Sequence, residues 1–192
     1  YAQKRNLRFY SNGVLETPSL NGAIDGYKIS IFASEHSELD QTSQRRLTAI
    51  ELFLRTSLPT QSAIASGGMV SVVEPLPLSQ EYKPDFSAWD DSYIIRTFDN
   101  EIMAAYLTPE RLEKLTSLMK VEKAWIIFLF LSDTGLLRFD TPLPIDDPRE
   151  LDKLVKQIIE AAKVLELKDG EYEKLMRKQS SSAVGQPQLK ID

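Results

Sequence analysis

The chain has 192 residues, 42% of them hydrophobic, with a formal net charge of −5. That is enough for one packed domain, or for two small lobes sharing a core. The pI near 5.1 argues against a general nucleic-acid binder, which would show a basic stripe, and the lack of cysteine excludes disulfides and thiolate metal sites.

The chain opens on Tyr1-Ala-Gln-Lys-Arg5, which reads as the last turn of a helix begun upstream. A start at Tyr1 rather than Met suggests a mature form or an excised piece, and no signal peptide or apolar span is visible. Leu7-Arg-Phe9 has strand character and Ser11-Asn-Gly13 ends it as a turn. Pro18 to Gly22 is a connection. Residues 22–32 carry the clearest hairpin signal, with Asp25-Gly26 as its two-residue turn. Tyr27, Ile29 and Ile31 alternate with Lys28 and Ser30, as in a sheet wet on one side. Ser34 to Ser43 is polar and reads as a loop. Residues 44–55 fit both a helix and a strand; their β-branched content favours a strand paired antiparallel with 27–33. Met69-Val-Ser-Val-Val73, after Gly67-Gly68, reads as another strand. Pro75, Pro77 and Pro84 then punctuate a long connection through Trp89. It divides a β-rich lobe, residues 1–80, from a second lobe, residues 81–178.

The second lobe begins with a strand over 92–98. Asp99 or Asn100 caps a short helix, and Thr108-Pro109-Glu110 starts another whose stripe is Leu112, Leu115 and Met119. Ala124-Trp-Ile-Ile-Phe-Leu-Phe-Leu131 is the chain's most apolar stretch. It is too short to cross a bilayer as a helix and rich in strand formers. Both of its faces are apolar, so it belongs inside a sheet with both faces covered. Asp133 and Gly135 make the turn to a return strand, with Gly135 expected in the left-handed region. Asp147-Pro148 opens a helix to about Leu167 with a continuous apolar face. Lys168-Asp-Gly170 stops or bends it, and residues 171–178 resume as helix. Residues 179–192 are expected to be a disordered tail. The order of elements predicts an α+β fold: antiparallel sheet, helices packed mainly on one face, with two lobes sharing a core as one form of it.

The run Asp91-Ser-Tyr-Ile-Ile-Arg-Thr-Phe-Asp99, then Ala104-Ala-Tyr-Leu-Thr-Pro-Glu-Arg-Leu-Glu-Lys-Leu115, then a strand pair and the helix at Asp147-Pro148, resembles a diffuse set of uncharacterised bacterial proteins. In these a soluble α+β domain follows one or two membrane helices. Arg8-Phe9 and residues 22–29 are similar to the opening of the same domains. The resemblance implies a membrane-tethered parent, through a segment upstream of Tyr1, and no mechanism. Lys4, Arg5 and Arg8 would fit an interfacial anchor on the cytoplasmic side.

Chemistry is sparse. The one histidine, His36, lies near Glu38 and Asp40; together they could hold a cation, although a solvated loop explains them as well. Asp85, Asp90 and Asp91 cluster about Trp89, and these four are the candidate ligand-binding residues. Paired carboxylates can act as acid and base or hold a hard cation, but no fixed metal-loop spacing is present. Ser66-Gly67-Gly68 lacks both the lysine of a phosphate loop and the flanks of a nucleophile elbow. No catalytic residue and no cofactor is implied. The reading is a non-enzymatic binding or assembly domain with a protein partner and no nucleic acid. A carboxylate-based, metal-assisted enzyme and a small-ligand sensor with a pocket near Trp89 are the alternatives.

Overall fold

Alternation and turn chemistry set most of the sheet. In the computed structural model, which describes residues 1–10, 18–36, 45–131, 133–143, 145 and 147–183, nine strands form one antiparallel sheet. They are β1 (Arg8–Tyr10), β2 (Ser19–Ile24), β3 (Tyr27–His36), β4 (Arg45–Leu54), β5 (Ser62–Ser66), β6 (Gln80–Glu81), β7 (Ile94–Thr97), β8 (Trp125–Phe130) and β9 (Gly135–Thr141). Their order across the sheet is β1-β2-β3-β4-β9-β8-β5-β7-β6. The fold is α+β. Asp25 and Gly26 both take positive φ in the two-residue turn between β2 and β3, as that hairpin type requires. Residues 45–54 are a strand paired antiparallel with β3.

The helices are α1 (Val70–Val73), α2 (Asn100–Tyr106), α3 (Pro109–Met119), α4 (Pro148–Leu165) and α5 (Glu171–Ala183). Helices α2 to α5 cover one face of the sheet, burying Ile29, Ile50, Leu52, Ile64, Phe128, Phe130 and Phe139. The caps are those read from the sequence. The Asp99 carboxylate accepts from the amides of Glu101 and Ile102, Thr108 from Arg111, and Asp147 from Arg149. No helix among the described residues is long and apolar enough to cross a membrane.

Several expectations need correction. Residues 69–73 are not a strand: a 3-10 turn over Gly67–Met69 runs into α1. Gly67, at φ 58°, turns the chain sharply out of β5. Met69 and Val73, one helical turn apart, are then both buried on the sheet's second face with Ala63, Ala65 and Ile127. The strand lies just upstream, in Ser62–Ser66, every residue of it buried. Gly135 does not adopt positive φ. It begins β9, where a Cβ would stand 3.0 Å from Leu54 Cδ1 and 3.1 Å from the Thr56 carbonyl oxygen, so glycine serves close approach instead. Ser19 to Gly22 belong to β2 rather than to a connection, and Ser34 to His36 complete β3. The turn at Gln3–Arg5 is 3-10. Residues 179–183 extend α5, while 184–192 lie outside the described residues.

The sheet also crosses position 80. β5, from the first expected lobe, sits between β8 and β7 of the second.

Candidate functional site

The acids about Trp89 occupy the loop between β6 and β7, and two of the three have a local task. The Asp90 carboxylate accepts from the Ser92 amide (2.9 Å) and hydroxyl (2.6 Å), and these bonds hold it below the usual carboxylate range. Asp91 is 2.5 Å from Lys83 in an exposed pair, and Asp85 is exposed. Trp89 packs edge-on to Tyr93 (centroids 5.5 Å apart) and against the main core. The Asp90 and Asp91 carboxylates therefore serve a turn and a surface pair. Among the described residues no three His, Asp or Glu side chains stand where they could hold a metal ion. His36 ends β3, but its side chain lies outside the described residues, as do Glu38 and Asp40.

The strongest buried polar cluster was not singled out by sequence reading. Arg111, on the first turn of α3, has a side chain only 3% exposed. It points under the joint between α4 and α5. Its Nε donates to the Val164 carbonyl (3.2 Å). One terminal nitrogen donates to the Tyr106 carbonyl (2.9 Å) and to Glu171 Oε1 (2.5 Å). The other donates to the Glu166 carbonyl (2.7 Å) and to Glu171 Oε2 (2.7 Å). Guanidinium has five N–H donors, and all five are used. The Tyr106 ring lies 4.3 Å beneath the guanidinium, and its hydroxyl donates to the Leu165 carbonyl at 2.6 Å. The pair thus caps three successive carbonyls at the end of α4, which would otherwise lack partners.

A cleft of about 650 Å³ opens beside this cluster, lined by Thr108, Glu110, Lys168, Lys174, Leu175 and their neighbours. Its buried arginine has no donor left for a ligand. Glu171 spends its carboxylate on Arg111 and on the Lys168 amide (2.8 Å). The hydrogen bonds from Arg111 hold the Glu171 carboxyl below the usual range. A depressed native pKa stabilises the fold above the ordinary glutamate range, and that stability is lost as pH falls through the depressed value. Urea titrations from pH 6 to pH 3 should therefore fall less steeply for Glu171→Gln than for the unmodified chain. Parallel profiles would refute the coupling.

The second face of the sheet is only partly covered. α1 and the turn before it shield Ala63, Ala65 and Ile127, with Gly67 and Gly68 lying against the Trp125 indole. Beyond them the register aligns an apolar band. Phe53 lies opposite Leu136, and Leu136 opposite Leu129. All three are half-buried. Leu131, just past the end of β8, is 47% exposed, and Phe98, past the end of β7, is 44% exposed. The expectation that both faces of 124–131 are covered therefore holds for the helix side. On the other side it holds at Ile127 but not at Leu129 or Leu131. The band is bordered by Lys28, whose ammonium is 4.9 Å from the Phe53 ring centroid. On its other border Arg138 donates to both oxygens of buried Asp140 (2.8 Å each) and to Glu51 (3.2 Å).

No family model matches the chain, and no curated protein matches it. Among solved structures it is similar to the crystal structure of the mycobacterial trehalose monomycolate transport factor A, TtfA, at 12% identity. The match covers 86% of this chain and 92% of that one, with a TM-score of 0.42. A likeness at that level carries nothing about function.

Proposed function

We propose that this domain acts by docking a protein partner, not by catalysis, and that the band Phe53–Leu136–Leu129–Leu131 is the docking surface. The observation that carries the reading is a row of half-exposed large apolar side chains, aligned by register on a sheet whose opposite face is fully packed. Contiguous exposed apolar surface rimmed by polar groups is characteristic of interaction sites. Lys28 on one border and the Arg138–Asp140–Glu51 cluster on the other supply such a rim. The local engagement of Asp90, Asp91 and Arg111 supports the same reading, because none of them is left poised for proton transfer. The resemblance to membrane-tethered bacterial domains supplies the setting: a tethered protein presenting this sheet to a partner.

The test uses the full chain in its host. A photo-reactive side chain at position 131 should give a discrete cross-linked species. Leu136→Glu should abolish that species while lowering stability by about 1 kcal/mol or less, as for a half-exposed site. A probe at exposed Lys174 should not give it. The same species from both positions, or its survival in Leu136→Glu, would overturn the proposal.

A further inference from the structure

The helix layer, on the opposite side of the sheet from the band, carries a feature that docking through the band leaves unused. α3 and α4 are separated by a groove of about 390 Å³. Its walls carry Lys114 and Ser117 from α3, and Lys153, Lys156 and Gln157 from α4. Glu160 is the one acid lining it, and that carboxylate is bound to Lys163 at 2.7 Å. Asp152, a second acid on α4 outside the lining, is shared: it accepts from Arg5 and lies 3.3 Å from Lys156. One carboxylate thus serves two cations, and the trio keeps a positive charge. Lys114 and Lys153 have no ion-pair partner among the described residues. Arg149 continues the stripe one turn toward the start of α4, since 149, 153 and 156 share one helical face.

Three lysines from two helices therefore converge on one groove, in a chain whose net charge is −5. Like charges on one groove repel, and Asp152 and Glu160, each shared with a cation outside the lysine trio, offset them only in part, so the arrangement lowers its energy when an anion enters. Lysine is a flexible point charge suited to phosphate oxygens. The groove offers no aromatic platform for a nucleobase, and its size suits a headgroup rather than a duplex. We propose that the α3–α4 groove binds a phosphate-bearing ligand of headgroup size, either a soluble phosphate compound or the headgroup of an anionic lipid. Lys114, Lys153 and Lys156 would hold the phosphate, with Ser117 and Gln157 as neutral donors.

The full chain should be titrated with pyrophosphate by calorimetry and, separately, sedimented with phosphatidylglycerol or phosphatidylcholine vesicles. Saturable binding in at least one anionic arm is expected, weakening as salt rises. Pyrophosphate binding alone identifies a soluble ligand; retention on phosphatidylglycerol alone identifies a lipid. The double variant Lys114→Glu/Lys153→Glu should bind at least about tenfold more weakly. Lys168→Glu/Lys174→Glu, an equal charge change in the other cleft, should alter binding less than about threefold; both variants should melt as the parent does. Absence of binding in both anionic arms, equal retention on phosphatidylcholine, or equal loss in the two variants would overturn the proposal. None of these outcomes bears on the apolar band.

Discussion

Replacing Arg111 with methionine should lower the stability of the fold by roughly 3–5 kcal/mol, the cost of removing one partner from a buried ion pair. Methionine fills similar volume, so the loss reports hydrogen bonding and charge rather than a cavity. Four acceptors lose their donor together: the carbonyls of Tyr106, Val164 and Glu166, and the Glu171 carboxylate. The carboxylate, 20% exposed, can recover some hydration, which places the effect toward the lower end. The buried Tyr106 carbonyl cannot. For a chain of this length each kcal/mol corresponds to roughly 2–4 °C, so the melting temperature should fall by about 6 °C or more. Arg111→Lys should recover little, because one ammonium cannot reproduce a planar fork of five donors. A loss below about 1 kcal/mol in urea denaturation would show that the joint between α4 and α5 holds without this residue.

Gly67→Ala should cost about 2–6 kcal/mol, from two independent causes. Gly67 sits at φ 58°, where any Cβ is strained, at about 1–3 kcal/mol. The new Cβ would also stand 2.4 Å from Trp125 Cδ1, so the indole must leave its seat, an overpacking cost of about 1–3 kcal/mol. Gly170→Ala separates the two. Its φ is 72°, but a Cβ there meets nothing within 4 Å, so it carries the backbone cost alone. Trp125 should report the difference. In a Trp89→Phe background, Gly67→Ala should shift the remaining indole emission, and Gly170→Ala should leave it unchanged. Equal destabilisation by the two alanines, with no emission change, would mean that the indole seat contributes nothing.

Local signals were legible wherever the physics is local. The Asp25-Gly26 turn, the caps at Asp99, Thr108 and Asp147, and the apolar stripe of α4 each depend on residues within a few positions of one another, and each stands where the spacing put it. Residues 69–73 were misread for the opposite reason. Val70, Val72 and Val73 are strand formers by propensity, yet Gly67 turns the chain out of the sheet and leaves only a helical spacing to bury Met69 with Val73. Ser62–Ser66 was missed because small residues carry little strand signal; they are used here because layers press on both sides of β5.

The same division governs the candidate sites. Arg111 follows a helix cap in an otherwise ordinary first turn, and nothing within its own segment distinguishes it from the exposed Glu110. Only the approach of α4 and α5, some 50 to 60 positions later, gives it four of its five acceptors. The band is likewise a product of register: Phe53, Leu136 and Leu129 come from three strands, and their alignment exists only once β9 lies between β4 and β8. Sequence alone determined most of the element types, the main turn and caps, and an α+β sheet built round residues 125–130. Tertiary structure decided which apolar side chains stay half-open and which charge is consumed, because burial and pairing depend on strand order and helix docking, which no local period encodes.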